Sequence, residues 1–217
     1  VTGSAQGFGK GIAAELAQEG ACVMVADIKD EPGEAFASEL AGRHGHGTSV
    51  FCHTDVTDSE SLDDCVDLCV KSFGGVDLFV SNAGVLKAGA LDELDEQAFD
   101  LVTRVNYKAY FLGVRAVAPV MKLQHEFNPH RFMDIIQINS KSGLEGSRKN
   151  FAYAGSKFGA IGLTQSFALE LTPCNIKVNA ICPGNYFDGP LWSDPDNGLF
   201  VQYLRAGKVE GARTIED

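Results

Sequence analysis

Long apolar runs are missing from this sequence. No stretch approaches the ~20 residues that cross a bilayer, and no charged segment followed by an apolar one opens the chain as a secretory signal would. Positive charge is scarce as well. Lys and Arg number 18 against 29 Asp and Glu, a formal net charge of -11. That deficit argues against nucleic acid and anionic membrane as partners, because both need a basic face to neutralise phosphates. Metal-binding spacing is absent too. The six cysteines (Cys22, Cys52, Cys65, Cys69, Cys174, Cys182) include no CxxC. Only Cys65 and Cys69 share a helical i, i+4 relation. The five histidines are scattered, with His44 and His46 in a Gly-rich turn. Neither a zinc site nor a disulfide framework is expected. The thiols read as small buried side chains of a cytoplasmic protein. No internal repeat, low-complexity tract or linker divides the chain, so residues 1–217 are expected to form a single domain. Val1 runs straight into Thr2-Gly3 as if inside a strand, which leads to the expectation of a longer parent chain.

What the sequence does contain is alternation. The 45% hydrophobic content and 24 glycines suit a globular protein rich in tight turns. Short apolar runs of strand length occur at 21–28, 49–56, 76–84, 132–140 and 176–184, several ending in polar residues or Gly/Pro. Helical patterns at 8–19, 31–43, 58–73, 95–127 and 151–173 separate them. Asp58 heads the third helix as an N-cap, with a capping-box-like Ser61-x-x-Asp64 beside it. Strands joined through helices of this length form right-handed βαβ crossovers. The expected fold class is therefore α/β, a single-domain Rossmann-type doubly wound parallel sheet with helices on both faces. Beyond Gly184 the chain becomes turn-rich, and 199–206 reads as a short amphipathic helix. Residues 185–210 suit a substrate lid at the carboxyl ends of the strands.

The opening "VTGSAQGFGKGIA" reads strand, glycine turn, helix. Gly3 permits a tight turn, Gly7 lets backbone N–H groups approach a pyrophosphate, and Gly9 removes a Cβ where helix meets strand. The helix N-terminus that follows attracts an anion. A structural turn would also explain three glycines, but it would not predict Asp27. That acid ends the next strand, where a carboxylate can accept both hydroxyls of an adenosine ribose. It would repel a 2′-phosphate, so NAD is preferred over NADP.

Residues 139–157, "NSKSGLEGSRKNFAYAGSK", gather Lys141, Arg148, Lys149 and Lys157 against one acid, Glu145. Tyr153 and Lys157 stand one helical turn apart and share a face. An adjacent ammonium and a cationic ring would favour phenolate and bring the tyrosine towards working range as a base. Such a pair also occurs on ordinary amphipathic helices, so the case rests on its companions.

Those companions are Thr2-Gly3-x-x-x-Gly7-x-Gly9, Asn82-Ala83-Gly84, Asn106, Ser140, Tyr153-x-x-x-Lys157 and Pro183-Gly184. In this order and spacing the chain resembles the short-chain dehydrogenase/reductase family over essentially its whole length. The resemblance implies that Tyr153 is the general acid/base, that Ser140 orients the substrate oxygen, and that Lys157 binds the nicotinamide ribose and lowers the tyrosine pKa. It implies that Asn106 holds a proton-relay water. Around NAD it implies Gly3, Ser4, Gln6, Gly7, Phe8 and Gly9, then Asp27 and Ile28, then Asp55 and Val56 at the adenine. Asn82, Ala83 and Gly84 follow, together with Pro183, Gly184 and Asn185. Two positions depart from the family pattern. Ser81 stands where a second Asn is usual, and a Thr usual after Pro183-Gly184 is absent, which makes Asn185 its substitute. The family also implies a homodimer or homotetramer paired through 95–127 and 151–173.

Within the family, "QINSKSG", "GSRKN", "YAGSKFGAIGLTQSFALEL" and "CPGN" resemble the branch that interconverts sorbitol 6-phosphate and fructose 6-phosphate with NAD. The local cations agree, since an acidic protein must focus positive charge to hold a sugar phosphate. Ser140, Lys141, Ser142, Arg148, Lys149, Tyr153 and Asn185 are the expected substrate contacts. Two alternatives stay open. One is a dehydrogenase of an unphosphorylated polyol, secondary alcohol or ketone. The other is an NAD(H)-sensing protein without turnover.

Overall fold

The computed structural model describes residues 1–185, 190–196 and 198–215. Alternation of strand and helix governs the chain, as the apolar pattern requires. The glycine turn leads into α1 (Gly7–Gln18), then β1 (Val23–Asp27), α2 (Asp30–His44), β2 (Ser49–His53), α3 (Ser59–Phe73) and β3 (Leu78–Ser81). The second half runs α4 (Glu96–Thr103), α5 (Ala109–Phe127), β4 (Met133–Ile138), α6 (Phe151–Leu171), β5 (Ile176–Ile181), α7 (Pro190–Ser193) and α8 (Leu199–Arg205).

All ladders are parallel. β1 pairs with β2, Val23 opposite Ser49, while β3, β4 and β5 pair in that order, Leu78 opposite Asp134 and Met133 opposite Ile176. Thr2 joins the two groups of strands. It bridges in parallel to Ala26 and donates its N–H to the Val80 carbonyl at 3.1 Å. The Thr2-Gly3 turn is thereby tied to the ends of both β1 and β3, the switch point where open α/β sheets bind ligands.

Helices cover both faces because the strands are apolar on both. Val23 and Val25 pack with Ala13, Ala17, Phe36 and Leu40 of α1 and α2, while Met24 and Ala26 meet Cys65 of α3. The largest core surrounds Met133, Ile135, Ile176 and Val178, packed by Tyr110, Val114, Val117 and Met121 of α5 with Ala160 and Leu171 of α6. No helix among the described residues is long and apolar enough to cross a membrane.

Two local expectations change. Asp58 does cap α3, accepting the Glu60 N–H at 3.0 Å. Ser61 forms no box, because its hydroxyl accepts the Asp55 N–H instead. The helix expected over 95–127 is also not continuous: a π-helical turn, Arg104–Lys108, joins α4 to α5 and contains Asn106. Single π turns widen a helix locally and recur at functional sites. Hydropathy at 3.6 spacing does not register them.

Candidate active site

The carboxyl ends of β1, β3, β4 and β5 meet the N-terminus of α1 around a cavity of about 500 Å³. One end is floored by Gln6, Gly7 and Phe8, and the other is walled by Ser140, Tyr153 and Lys157. The glycine turn is built by exclusion. Gly3 and Gly7 have φ of 64° and 56°, the left-handed region that favours glycine. A Cβ on Gly9 would collide with the Gly3 carbonyl and the Asn82 amide, so α1 can approach the strand only there. A Cβ on Gly7 would meet nothing within 4 Å, which leaves open space before the helix N-terminus. The N-cap residue Gln6 makes no side-chain capping bond at that terminus, and a helix N-terminus favours an anion.

Asn82 braces this turn from β3, its amide donating to the Thr2 carbonyl at 2.8 Å and the Gly3 carbonyl at 3.1 Å. The Asn82 and Ala83 N–H groups both donate to the Thr2 hydroxyl. Asp27 is buried, and its carboxylate accepts the Ala5 N–H at 2.9 Å and the Lys29 N–H at 3.0 Å. The acid thus fastens the glycine turn to β1 while keeping negative charge at the strand end. Ser4 is fully buried, with its hydroxyl tied to the Val1 carbonyl and the Ala26 N–H. Its side chain therefore faces the fold and not the cavity. Asp55 is exposed and turns inward on Thr57, accepting from its N–H and hydroxyl at 2.8 Å. Neither Asp55 nor Val56 nor the exposed Ile28 lines the cavity.

The reactive end draws on four elements. Ser140 follows β4 and caps the 3-10 turn Lys141–Gly143, accepting the Ser142 N–H at 3.1 Å. Tyr153 and Lys157 lie on the first two turns of α6. The Ser140 hydroxyl hydrogen-bonds the Tyr153 phenol, and that bond alone would lower its pKa. Burial is the larger effect, so Tyr153 stands above its ordinary value. Burial, and not Lys157, sets the direction of this shift. The Lys157 ammonium lies 5.6 Å from the tyrosine ring centroid and donates to the Ile138 carbonyl at 2.8 Å. Burial pulls Lys157 itself down to about 8. Asn106, held by the π turn, accepts the Val85 N–H and donates to the Val85 carbonyl, both at 2.8 Å. Its side-chain amide is thus committed to positioning the segment after β3.

The roof comes from the C-terminal region. Leu86, Trp192 and Leu199 form a buried cluster against Tyr153, Phe200 and Tyr203, and Trp192 packs edge-on to Tyr203 at 5.6 Å. Gln202 accepts the Ala88 N–H at 3.0 Å, anchoring α8 over the site. Of the segment expected as a lid, 186–189 and 197 lie outside the described residues. Tyr203 is a site residue that sequence reasoning missed. It lines the cavity, and burial, with the nearby Tyr153, pushes its phenol up to about 12. Nothing local in "LFVQYLR" distinguishes it from a core aromatic.

Of the expected substrate contacts, Ser140, Ser142, Tyr153 and Asn185 line the cavity, and Lys141, Arg148 and Lys149 do not. Lys149 adopts a left-handed φ of 54°. This turns its carbonyl onto the Gly89 N–H at 3.0 Å, and its ammonium donates to the Ala206 carbonyl. Arg148 is exposed. Among the described residues no group of three or more His, Cys, Asp or Glu is gathered as a metal site.

With this geometry in hand, comparison places the chain among known proteins. Residues 1–192 match the model of the short chain dehydrogenase family. Trans-4-hydroxycyclohexanecarboxylate dehydrogenase of Sinomonas cyclohexanicum is 35% identical over 189 residues, 85% of this chain and 70% of that one. The crystal structure of sorbitol-6-phosphate 2-dehydrogenase from Erwinia amylovora superposes with a TM-score of 0.87 at 34% identity. It covers 99% of this chain and 79% of its own. The 3-ketoacyl-(acyl-carrier-protein) reductase from Brucella melitensis, complexed with NADH, superposes at 0.79 with 27% identity, over 88% of this chain and 76% of that one.

Proposed function

The chain belongs to the short-chain dehydrogenase family, and from that premise we propose that it oxidises sorbitol 6-phosphate to fructose 6-phosphate, and the reverse, with NAD. The carrying observation is the Ser140–Tyr153–Lys157 group in one cavity with the open N-terminus of α1. The residues fit a dinucleotide. Gly3 and Gly9 leave no room for a side chain while Gly7 opens onto free space, the helix end suits a pyrophosphate, and Asp27 sets a negative charge against a 2′-phosphate. When bound, NAD supplies the hydride acceptor and a positive ring.

The roles of the chain's own residues follow. Ser140 donates a hydrogen bond to the substrate oxygen and holds it toward Tyr153. In alcohol oxidation Tyr153, as phenolate, takes the hydroxyl proton while the carbon-bound hydride leaves C2. In ketone reduction the neutral phenol returns that proton. Burial disfavours the phenolate in the free protein, so a positive charge arriving with NAD is what brings it into range. Lys157, fixed by the Ile138 carbonyl, would hold the nicotinamide ribose and supply cationic charge near the phenol. Asn106 anchors Val85 and so holds the segment after β3 in place beside the site.

The likeness to the Erwinia enzyme across nearly the whole chain supports the phosphorylated substrate. The apolar roof of Leu86, Trp192 and Leu199 favours instead an uncharged secondary alcohol, the second reading. NADH formation with sorbitol 6-phosphate and sorbitol side by side, using the longest natural form of the chain, separates them. Turnover of the ester alone supports the first reading, and equal rates overturn it.

A further inference from the structure

We propose that Lys141 and Lys208 form an anion clamp at the rim of the cavity that holds the substrate phosphate; this rests on the polyol-phosphate reading above. Lys208 lies 67 positions from Lys141 in the chain, just beyond α8, and it belongs to no motif. Its ammonium sits 4.1 Å over the ring of Tyr203 and donates to the Ser147 hydroxyl at 2.9 Å. Tyr203 in turn lines the cavity and neighbours Tyr153. The ring of Tyr203 therefore lies between Lys208 and the reacting end. Lys141 follows Ser140 directly, so its backbone is fixed by the residue that orients the substrate oxygen.

The charge arrangement points to an anion. Half-burial and the charge of Lys141 both disfavour the ammonium of Lys208. Among the described residues neither lysine meets a carboxylate, since the ion pairs all lie elsewhere. Two neighbouring cations without a paired carboxylate are odd in a protein of net charge -11. A phosphate monoester, carrying roughly -1.5 to -2 at neutral pH, relieves that repulsion. It also gains charge-assisted hydrogen bonds that a free polyol cannot make. Lys149 is not the partner, because its ammonium is spent on the Ala206 carbonyl.

The test compares Lys208→Gln and Lys141→Gln with Lys71→Gln, which makes the same charge change on a remote, exposed helix face. Glutamine keeps a donor for Ser147, and thermal melts confirm folding. The readout is the ratio of kcat/KM for sorbitol 6-phosphate to that for sorbitol. Loss of one charge-assisted contact should lower this ratio about tenfold in each clamp variant, carried by KM, and leave it unchanged in Lys71→Gln. An unchanged ratio in Lys208→Gln overturns the clamp while the phosphorylated-substrate reading survives. A loss seen only in Lys87→Gln or Lys29→Gln, the rival cations on the cavity wall, overturns it equally. If the unmodified protein shows no preference for the ester, the substrate reading fails, and inorganic phosphate titrated by calorimetry then decides the clamp. Weaker binding in Lys208→Gln than in Lys71→Gln upholds it, and equal binding overturns it.

Discussion

Replacing Lys157 by Met tests the balance between stability and function at the centre of the site. Burial lowers the lysine from 10.5 to about 8, which corresponds to about 3 kcal/mol of folding free energy at neutral pH. Met has nearly the same length and carries no charge, so that penalty disappears. Against it stands the lost hydrogen bond to the Ile138 carbonyl, which costs about 1–3 kcal/mol. At pH 7 the variant should therefore be as stable as the parent or slightly more so, although turnover collapses. The pH dependence is more decisive. An unfolded Lys157 keeps its proton up to about 10.5, whereas the folded one releases it from about 8. The unfolded state binds more protons in that window, so parental stability rises with pH. The burial cost is fully present below pH 8 and relieved above it. Urea unfolding of both proteins at pH 7.5 and 9.5 should show the parent gaining about 2 kcal/mol relative to Lys157→Met. Other titrating groups are common to both and cancel. Parallel pH dependences would mean that Lys157 is not buried as a charge, and the reasoning would fail.

Tyr153→Phe removes only the phenolic oxygen. It should cut kcat by about 10²–10⁴ and leave NADH binding, followed by fluorescence, nearly intact; retained turnover would mean that another group moves the proton. Gly9→Ala places a methyl against the Gly3 carbonyl and the Asn82 amide. Overpacking of this kind costs about 1–3 kcal/mol, and the displaced turn should weaken NADH binding more than it lowers the melting temperature. A variant that binds NADH normally would show that the glycine turn is not the cofactor floor.

Much of this protein follows from local order. Apolar runs of strand length separated by amphipathic helices leave a parallel sheet as the workable arrangement, because a parallel pair needs a long crossover. Gly3, Gly7 and Gly9 are legible for the same reason, since a missing Cβ acts through the backbone of its own turn. Tyr153 and Lys157 share a face by helical geometry alone. Tertiary structure decided whatever depends on atoms far apart in the chain. It spent the oxygens of Asp27 on the Ala5 and Lys29 N–H groups, sent the Ser4 hydroxyl into the core and turned Lys149 away onto Ala206. It also brought Tyr203 and Lys208 to a site whose motifs end at Gly184. The pKa of Tyr153 belongs to this second class. A lysine four residues on suggests a lowered value, but desolvation sums over every group packed around the ring, and here it outweighs the lowering by the Ser140 hydrogen bond. Spacing along a chain specifies which side chains can meet; what surrounds them when they do is a property of the assembled fold.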